Sequence, residues 1–494
     1  MNILAQILKA LFQLLEATLN FLAESLETLF SSVPKKSQGY NADFAPSGSI
    51  LSSWNHGFCL TGKSNLTVKD SYQNALVIGG TGVGKSSVVL LPSLYSMKGS
   101  YVVHDPSGEL HAKSAAYLKG QGYTVLILNF SDPLRSAGYN FLSRANTASA
   151  MQKVSFMLVE GGSDRKSKND FWNVQAIALI TMLIMILKKK EPEYQNLYNV
   201  RQLLNKLGSN PKEVDALFSK DADEVLFGEY KSFIAYDEKV VNGVIATAKA
   251  ALQIFSDEAV AKVTASDTID LQDFRRGPVA LFLQTSVADQ KYYSGLISLF
   301  FEQLFAFILG RFPLAAEKDI FLLIDEASAL NLPTLPLAVA NVRKHRAGTM
   351  ILVQDFAQLI HHYGKFDAEA IKSNCFAKMY FTGQSLETAS ELEKTLGRYE
   401  YEEENGKKVV RALMTNDEIR TMKTSQALLI CGHHPPIMAR LRPYYKNYRY
   451  RHYSALPVPL LPPLSPPVGN RFEPAFSEAH LPVPVLKLNP DQKP

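Results

Sequence analysis

The run NALVIGGTGVGKSS, Asn74 to Ser87, restricts the possible folds of this chain more than any other stretch. Gly79-Gly80-Thr81-Gly82-Val83-Gly84-Lys85-Ser86 satisfies G-x-x-x-x-G-K-[ST], the pattern of a phosphate-binding loop. Ahead of it, Ala75-Leu76-Val77-Ile78 reads as a short buried strand. Behind it, Ser87 to Leu91 can open a helix, so strand, glycine loop and helix arrive in the order the loop needs. Gly79, Gly80, Gly82 and Gly84 are expected to free the backbone so that successive N–H groups cradle phosphate oxygens. The helix N-terminus adds positive partial charge at the same spot. Lys85 is expected on the β- and γ-phosphates and the Ser86 hydroxyl on Mg²⁺, with Thr81, Val83 and Ser87 completing the loop around ATP. A glycine-rich turn that binds nothing is the competing reading, and the strand-to-helix context disfavours it.

The chain has 494 residues, 46% hydrophobic and 20% charged, which suits a globular protein with room for about three domains. A formal charge of +5 permits a local nucleic-acid patch without requiring one. Cys59, Cys375 and Cys431 form no C-x-x-C pair, so neither a zinc site nor a disulfide framework is indicated, and a cytoplasmic setting is expected. No uncharged apolar run reaches membrane-spanning length. Ala176 to Leu187 reads as a core helix, and Glu16, Glu24 and Glu27 argue against a signal peptide.

In chain order, residues 1–33 follow a heptad with Met1, Leu8, Leu15, Leu22 and Leu29 in one row. This predicts an amphipathic helix that pairs with itself or with a partner helix, in preference to lying on a lipid surface. Residues 34–57 read as a linker. Residues 58–140 read as the first part of a nucleotide-binding domain: Phe58 to Leu66 is a candidate strand, as are Ser100 to Asp105 and Thr124 to Phe130. Over 141–276 the periodicity becomes helical, predicting an all-α domain inserted into the first. Strands return in 277–445 with Val279 to Leu283 and, after a long helix from about Tyr292 to Phe312, with Ile320 to Ile324.

That last strand ends in Asp325-Glu326, a Walker B pattern. Asp325 is expected to hold Mg²⁺ and Glu326 to polarise the attacking water. Thr349 to Val353 ends in Gln354, placed to orient water or contact the γ-phosphate if its strand neighbours the Walker B strand; an ordinary strand-end glutamine is the competing reading.

Several further segments fall in the same linear order as in the type IV coupling proteins, the TraG-like ATPases of conjugation and type IV secretion, which the chain resembles from about Phe58 to Tyr445. They include His104-Asp105-Pro106-Ser107-Gly108-Glu109, Tyr139-Asn140-Phe141-Leu142, Ser266-Asp267 through Arg276, Asp325-Glu326-Ala327, Gln354-Asp355, Ser373-Asn374-Cys375 and Glu387-Thr388-Ala389. The resemblance implies an α/β fold, a RecA-like P-loop domain with a parallel-rich sheet interrupted by an all-α domain, assembled as a homo-hexamer. It implies ATP hydrolysis with Mg²⁺ and delivery of DNA, a relaxase-bound single strand, to a secretion channel with its ATPases and membrane subunit. A neighbour's arginine would complete such a site, and Arg343 and Arg346 are the candidates. Two departures stand out: Ser107 replaces the family's lysine, and the heptad helix stands where the family has a membrane anchor. A soluble ring, peripheral at the inner face of the membrane, is the resulting expectation.

Residues 446–494 read as a basic-aromatic and proline-rich tail. The stretch from Arg440 to Tyr453 alternates Arg or Lys with Tyr, which suits either packing or single-stranded nucleic acid, and the proline-dense remainder suits an extended docking segment. A DNA-translocating coupling ATPase is the leading reading. The alternatives are a recruiter of protein effectors without DNA pumping and a nucleotide-gated assembly scaffold.

Overall fold

The computed structural model describes residues 40–161, 171–286, 288–404 and 406–459. The heptad segment 1–33 and the proline-rich tail beyond 459 lie outside them. The core is a nine-stranded sheet built from β1 (Ala75–Ile78), β2 (Ser100–His104), β3 (Thr124–Asn129), β4 (Val279–Gln284), β5 (Ile320–Ile324), β6 (Ala347–Val353) and β7 (Ala377–Tyr380), with two late strands. A separate two-stranded hairpin pairs β8 (Arg398–Glu402) with β9 (Lys408–Ala412). The late strands are β10 (Gln426–Cys431) and β11 (Ile437–Arg440), and the spatial order is β11-β10-β7-β1-β6-β5-β2-β4-β3. From β7 to β3 every pairing is parallel; β10 and β11 add antiparallel pairs at one edge.

A parallel sheet needs crossover helices on both faces, so its central strands are buried on both sides. All residues of β1, β2, β5 and β6 are buried. Side chains alternate between faces: Leu76, Ile78 and Val102 join one core cluster, whereas Ala75, Val77, Tyr101 and Val103 join the other.

Between β3 and β4 the described chain is helical, from Ala148–Glu160 through Phe171–Leu187 and Glu238–Ala251 to Glu258–Ala265. The entry and exit of this segment lie side by side. Tyr139 N–H donates to Val263 O (3.0 Å), Gly138 N–H to Thr268 Oγ1 (2.9 Å), and Arg144 pairs with Asp267 at 2.7 Å. From Leu179 to Leu187 the helix Phe171–Leu187 is enclosed by its neighbours, which explains so apolar a run there, whereas Phe171, Trp172 and Val174 at its start are exposed. One described helix, Gln290–Leu309, has the length and composition to cross a membrane, and 56% of its most apolar window is buried inside the protein.

Two expectations are corrected. Phe58 to Leu66 is no strand of the sheet: Phe58 N–H goes to Ser71 Oγ (2.9 Å) and Cys59 N–H to Ser93 Oγ (3.0 Å), while Leu66 N–H folds back on Phe58 O (2.9 Å), leaving only isolated bridges. The supposed linker is pinned over its described part, with Ala42 N–H on Arg398 O, Glu400 N–H on Tyr40 O, and Ala45 N–H on Pro436 O.

Candidate functional site

The sheet order β1-β6-β5-β2 sets four strand C-termini side by side, three of them followed directly by a polar residue and the fourth by the glycine loop. Behind β1 comes the glycine loop, behind β6 Gln354, behind β5 Asp325 and Glu326, and behind β2 Asp105. The loop is tied to its neighbours where it leaves the sheet: Gly79 N–H donates to Val353 O at 3.1 Å, and buried Gln384 donates to Ile78 O at 3.2 Å.

The glycines divide by role. Gly82 (φ 79°) and Gly84 (φ 100°) hold left-handed dihedrals that a side chain resists. Gly79 is required by space, since a Cβ there would sit 2.8 Å from the Phe381 Cβ. Gly80 meets neither condition, with open space around it and no positive φ, so the expectation that all four glycines adopt forbidden dihedrals is corrected. Thr81 and Gly82 are exposed at the tip, and Val83, Gly84, Lys85, Ser86 and Ser87 are half-buried. The helix that follows starts with a wide turn, Leu91 N–H reaching Ser86 O, and continues as Leu91–Ser96.

The Lys85 ammonium donates to Gly79 O and to Gly80 O (3.0 Å). Burial pushes its pKa down, while Asp325 and Glu326 pull it back up, so the lysine lies within the field of the Walker B acids. The Asp325 carboxyl is pushed up to about 6, first by burial and then by repulsion from Glu326, against the pull of Lys85. Asp105, also pushed up to about 6 by burial, accepts from Leu110 N–H (3.2 Å) and His111 N–H (2.8 Å) and so anchors the helix Glu109–Gly120. Ser107 is exposed beside it.

Asp325, Glu326 and Ser86 form a hard-oxygen donor set with more negative charge than Lys85 neutralises, and this fits Mg²⁺. Among the described residues no three His, Cys, Asp or Glu converge as a complete protein metal site. A metal here would therefore draw its other ligands from water and nucleotide phosphates, as Mg²⁺ commonly does.

Glu326 holds φ 51°, ψ 48°, a left-handed conformation uncommon outside glycine. Its carboxylate lies 3.5 Å from Gln290 Nε2. Gln354 N–H donates to Gln358 Oε1 at 3.3 Å, and Gln358 also receives the Ser328 hydroxyl at 3.1 Å. The structure thus gathers the glycine loop, Lys85, Ser86, Asp325, Glu326 and Gln354 at one edge.

It does not bring Arg343 and Arg346 there. Both precede β6, at the opposite end of a strand that spans roughly 20 Å. Arg346 (φ 49°) is consumed within the chain, bonding Asp319 Oδ1 (2.8 Å), Leu314 O (2.9 Å) and Glu317 O (2.7 Å). Arg343 is exposed and bonds Gln73 Oε1 at 3.2 Å.

Sequence reading missed His104, Gln284, Gln290 and Gln384 as site residues. His104 and Asp105 stood inside a recognised segment, whereas the three glutamines meet the site only through tertiary contacts.

Residues 45–466 match the family described as Type IV secretory system Conjugative DNA transfer. The chain belongs to this family. Protein VirD4 of Rhizobium radiobacter is 20% identical over 451 residues, which cover 85% of this chain and 64% of the relative. Conjugal transfer protein TraG of Agrobacterium fabrum is 24% identical over 332 residues, 64% of this chain and 49% of the relative. The chain thus spans less than two thirds of the length of these relatives. Plasmid coupling protein TrwB in complex with the non-hydrolysable GTP analogue GDPNP superposes with a TM-score of 0.65 at 17% identity, over 87% of this chain and 98% of that one. TrwB in complex with ADP and Mg²⁺ gives 0.65 at 18% identity, over 82% and 96%. The shared fold is the RecA-like α/β arrangement of this conjugative-transfer family.

Proposed function

We propose that the protein is an ATP-hydrolysing coupling protein that recruits DNA, a relaxase-bound single strand, and drives it toward a type IV secretion channel. The observation that carries the reading is the meeting of Lys85 with Asp325 and Glu326 across β1, β6 and β5, within a chain of the conjugative DNA transfer family. TrwB, which shares the fold, was captured with ADP and Mg²⁺.

The chemistry then assigns itself by position. The loop N–H groups and the Lys85 ammonium hold the β- and γ-phosphates and take up charge that develops as the bond to ADP breaks. Glu326 orients a water and accepts its proton as the oxygen attacks the γ-phosphorus, giving ADP and inorganic phosphate. Ser86 and Asp325 would hold Mg²⁺, which neutralises phosphate charge when bound. Gln354, between the glycine loop and the acids, is placed to sense the γ-phosphate. The six-fold ring, the membrane subunit and the channel ATPases as partners, and a peripheral place at the membrane belong to the same proposal.

The DNA part rests on the C-terminal surface. No Asp or Glu occurs from Ile419 to Phe472, while five Arg and Lys fall between Arg440 and Arg451. The helix Tyr448–Ser454 divides its tyrosines: Tyr450 and Tyr453 face inward, but Tyr448 is 77% exposed, as is Tyr445 at 52%. Exposed rings among cations suit stacked bases and a phosphate backbone.

The test is ATP turnover with and without single-stranded DNA. Wild type is expected to hydrolyse ATP faster with DNA, and Lys85→Ala to lose at least about a hundredfold in rate. Wild-type protein that hydrolyses nothing, with single- or double-stranded DNA and at concentrations that permit oligomers, overturns the reading.

A further inference from the structure

His104 is the last residue of β2 and sits beside Ile324, the last residue of β5, in the parallel register. Its ring is completely buried. The Nδ1–H donates to the backbone carbonyl of Asp325 at 2.6 Å, and Nε2 meets no protein partner among the described residues. The carbonyl that receives this bond belongs to the peptide joining Asp325 to Glu326.

That peptide is gripped from both sides. Its N–H, from Glu326, returns to Asp325 Oδ1 at 3.1 Å, and its oxygen takes the histidine proton. Immediately beyond it the backbone enters the left-handed region at Glu326. Such a conformation in a residue other than glycine is costly and persists only where the surroundings over-determine it. Beyond Ile324 the strand ladder has ended, so a side chain takes over the role of an interstrand donor. A leucine at position 104 would fill the same core without burying two ring nitrogens, one of them unrewarded. The hydrogen bond to Asp325 O is the single polar interaction made by the ring among the described residues.

We infer that His104 is a positioning residue for the Walker B glutamate: by holding the Asp325–Glu326 peptide, it fixes the left-handed turn that aims the Glu326 carboxylate at the attacking water. The catalytic consequence rests on the proposed ATPase activity; the conformational one does not.

The discriminating variants are His104→Leu, which keeps apolar volume and removes the donor, and His104→Asn, whose amide N–H occupies the place of Nδ1–H. In the full chain, His104→Leu should lower kcat by about ten- to a hundredfold, the scale of a misplaced general base. Affinity for a non-hydrolysable ATP analogue should stay within about twofold, because the glycine loop and Lys85 are untouched. His104→Asn should recover most of the lost rate. The crystal structure of His104→Leu should show the Asp325–Glu326 peptide rotated and Glu326 out of the left-handed region. Wild-type kcat in His104→Leu, a joint loss of kcat and nucleotide affinity that asparagine does not repair, or an unchanged Glu326 conformation each overturns the inference. If wild type itself fails to hydrolyse ATP, the functional reading falls, and the Glu326 conformation in the variant still decides this one.

Discussion

Two arginines three positions apart illustrate how residue-level chemistry separates roles that sequence left joined. Arg346 makes an ion pair with Asp319 and several carbonyl bonds to the loop before β5, so it holds that loop against the start of β6. Arg346→Ala should therefore destabilise the fold by about 2 kcal/mol in chemical denaturation, since it strands the half-buried Asp319 carboxylate and Glu317 carbonyl. Arg343→Ala, with one exposed bond to lose, should leave stability within about 0.5 kcal/mol. His111 offers a test of a different kind. It is buried with its ring edge-on to Phe282, 5.2 Å away, and burial depresses its pKa from 6.5 to about 4. An unfolded chain takes up that proton near its ordinary pKa, whereas the folded chain resists until about 4, so stability is lost as pH falls between the two. At pH 5 the loss is about 2 kcal/mol, and near pH 7 it is almost nil. His111→Leu should thus gain about 2 kcal/mol on wild type when the pH is lowered from 7 to 5 in paired melts. A stability difference that does not change with pH would show that the ring is not held neutral.

At the scale of elements, the C-terminal helix Tyr448–Ser454 joins packing and recognition in one short segment. Tyr453 stacks on Tyr117 at 4.2 Å, and Tyr450 lies 5.2 Å from Tyr95, so both are part of the wall of the sheet domain. Tyr453→Ala should cost about 3 kcal/mol of stability. Tyr448→Ala should cost none, yet weaken single-stranded DNA binding by about 1–3 kcal/mol, the value of one stacked base. Equal DNA affinity in Tyr448→Ala and wild type, in a fluorescence titration at fixed salt, would remove this surface from the DNA path. The same helix shows why sequence alone left packing and DNA contact open: alternating tyrosines give no sign of which ones turn inward.

Legibility elsewhere followed the same physics. β1, β2, β4 and β5 are buried on both faces, so each has an apolar run at its centre that a reader can find. β7 went unread because Lys378 interrupts it, its ammonium satisfied by Cys375 O at 2.8 Å in a way no local pattern announces. β8 and β9 carry charged, largely solvent-facing residues and resemble loop. In the site, Lys85, Asp325 and Glu326 were legible because a motif fixes them. His104, Gln290 and Gln384 act across long sequence separations and became visible only through their partners.

For the whole molecule, the placement of Arg343 matters most. It sits at the strand end opposite the glycine loop, so within one chain it cannot approach its own nucleotide. A ring is built from heterologous contacts, in which one face of a subunit meets a different face of the next. A residue far from its own site can then lie at a neighbour's, and Arg343 is exposed with most of its donors free to do so, unlike Arg346. If it supplies charge in trans, Arg343→Ala should lose on the order of a thousandfold in kcat while binding nucleotide normally. Lys85→Ala should be inactive for the complementary reason, having an intact arginine beside a dead loop. Mixed at equal concentration and reassembled, the two inactive variants should recover about a quarter of wild-type turnover, because half the subunits keep Lys85 and half of those receive Arg343 from a neighbour. Mixed oligomers verified by native mass spectrometry that stay inactive at every ratio would exclude Arg343 from the trans role. Recovery would show a site shared between subunits, with Lys85 from one and Arg343 from the next.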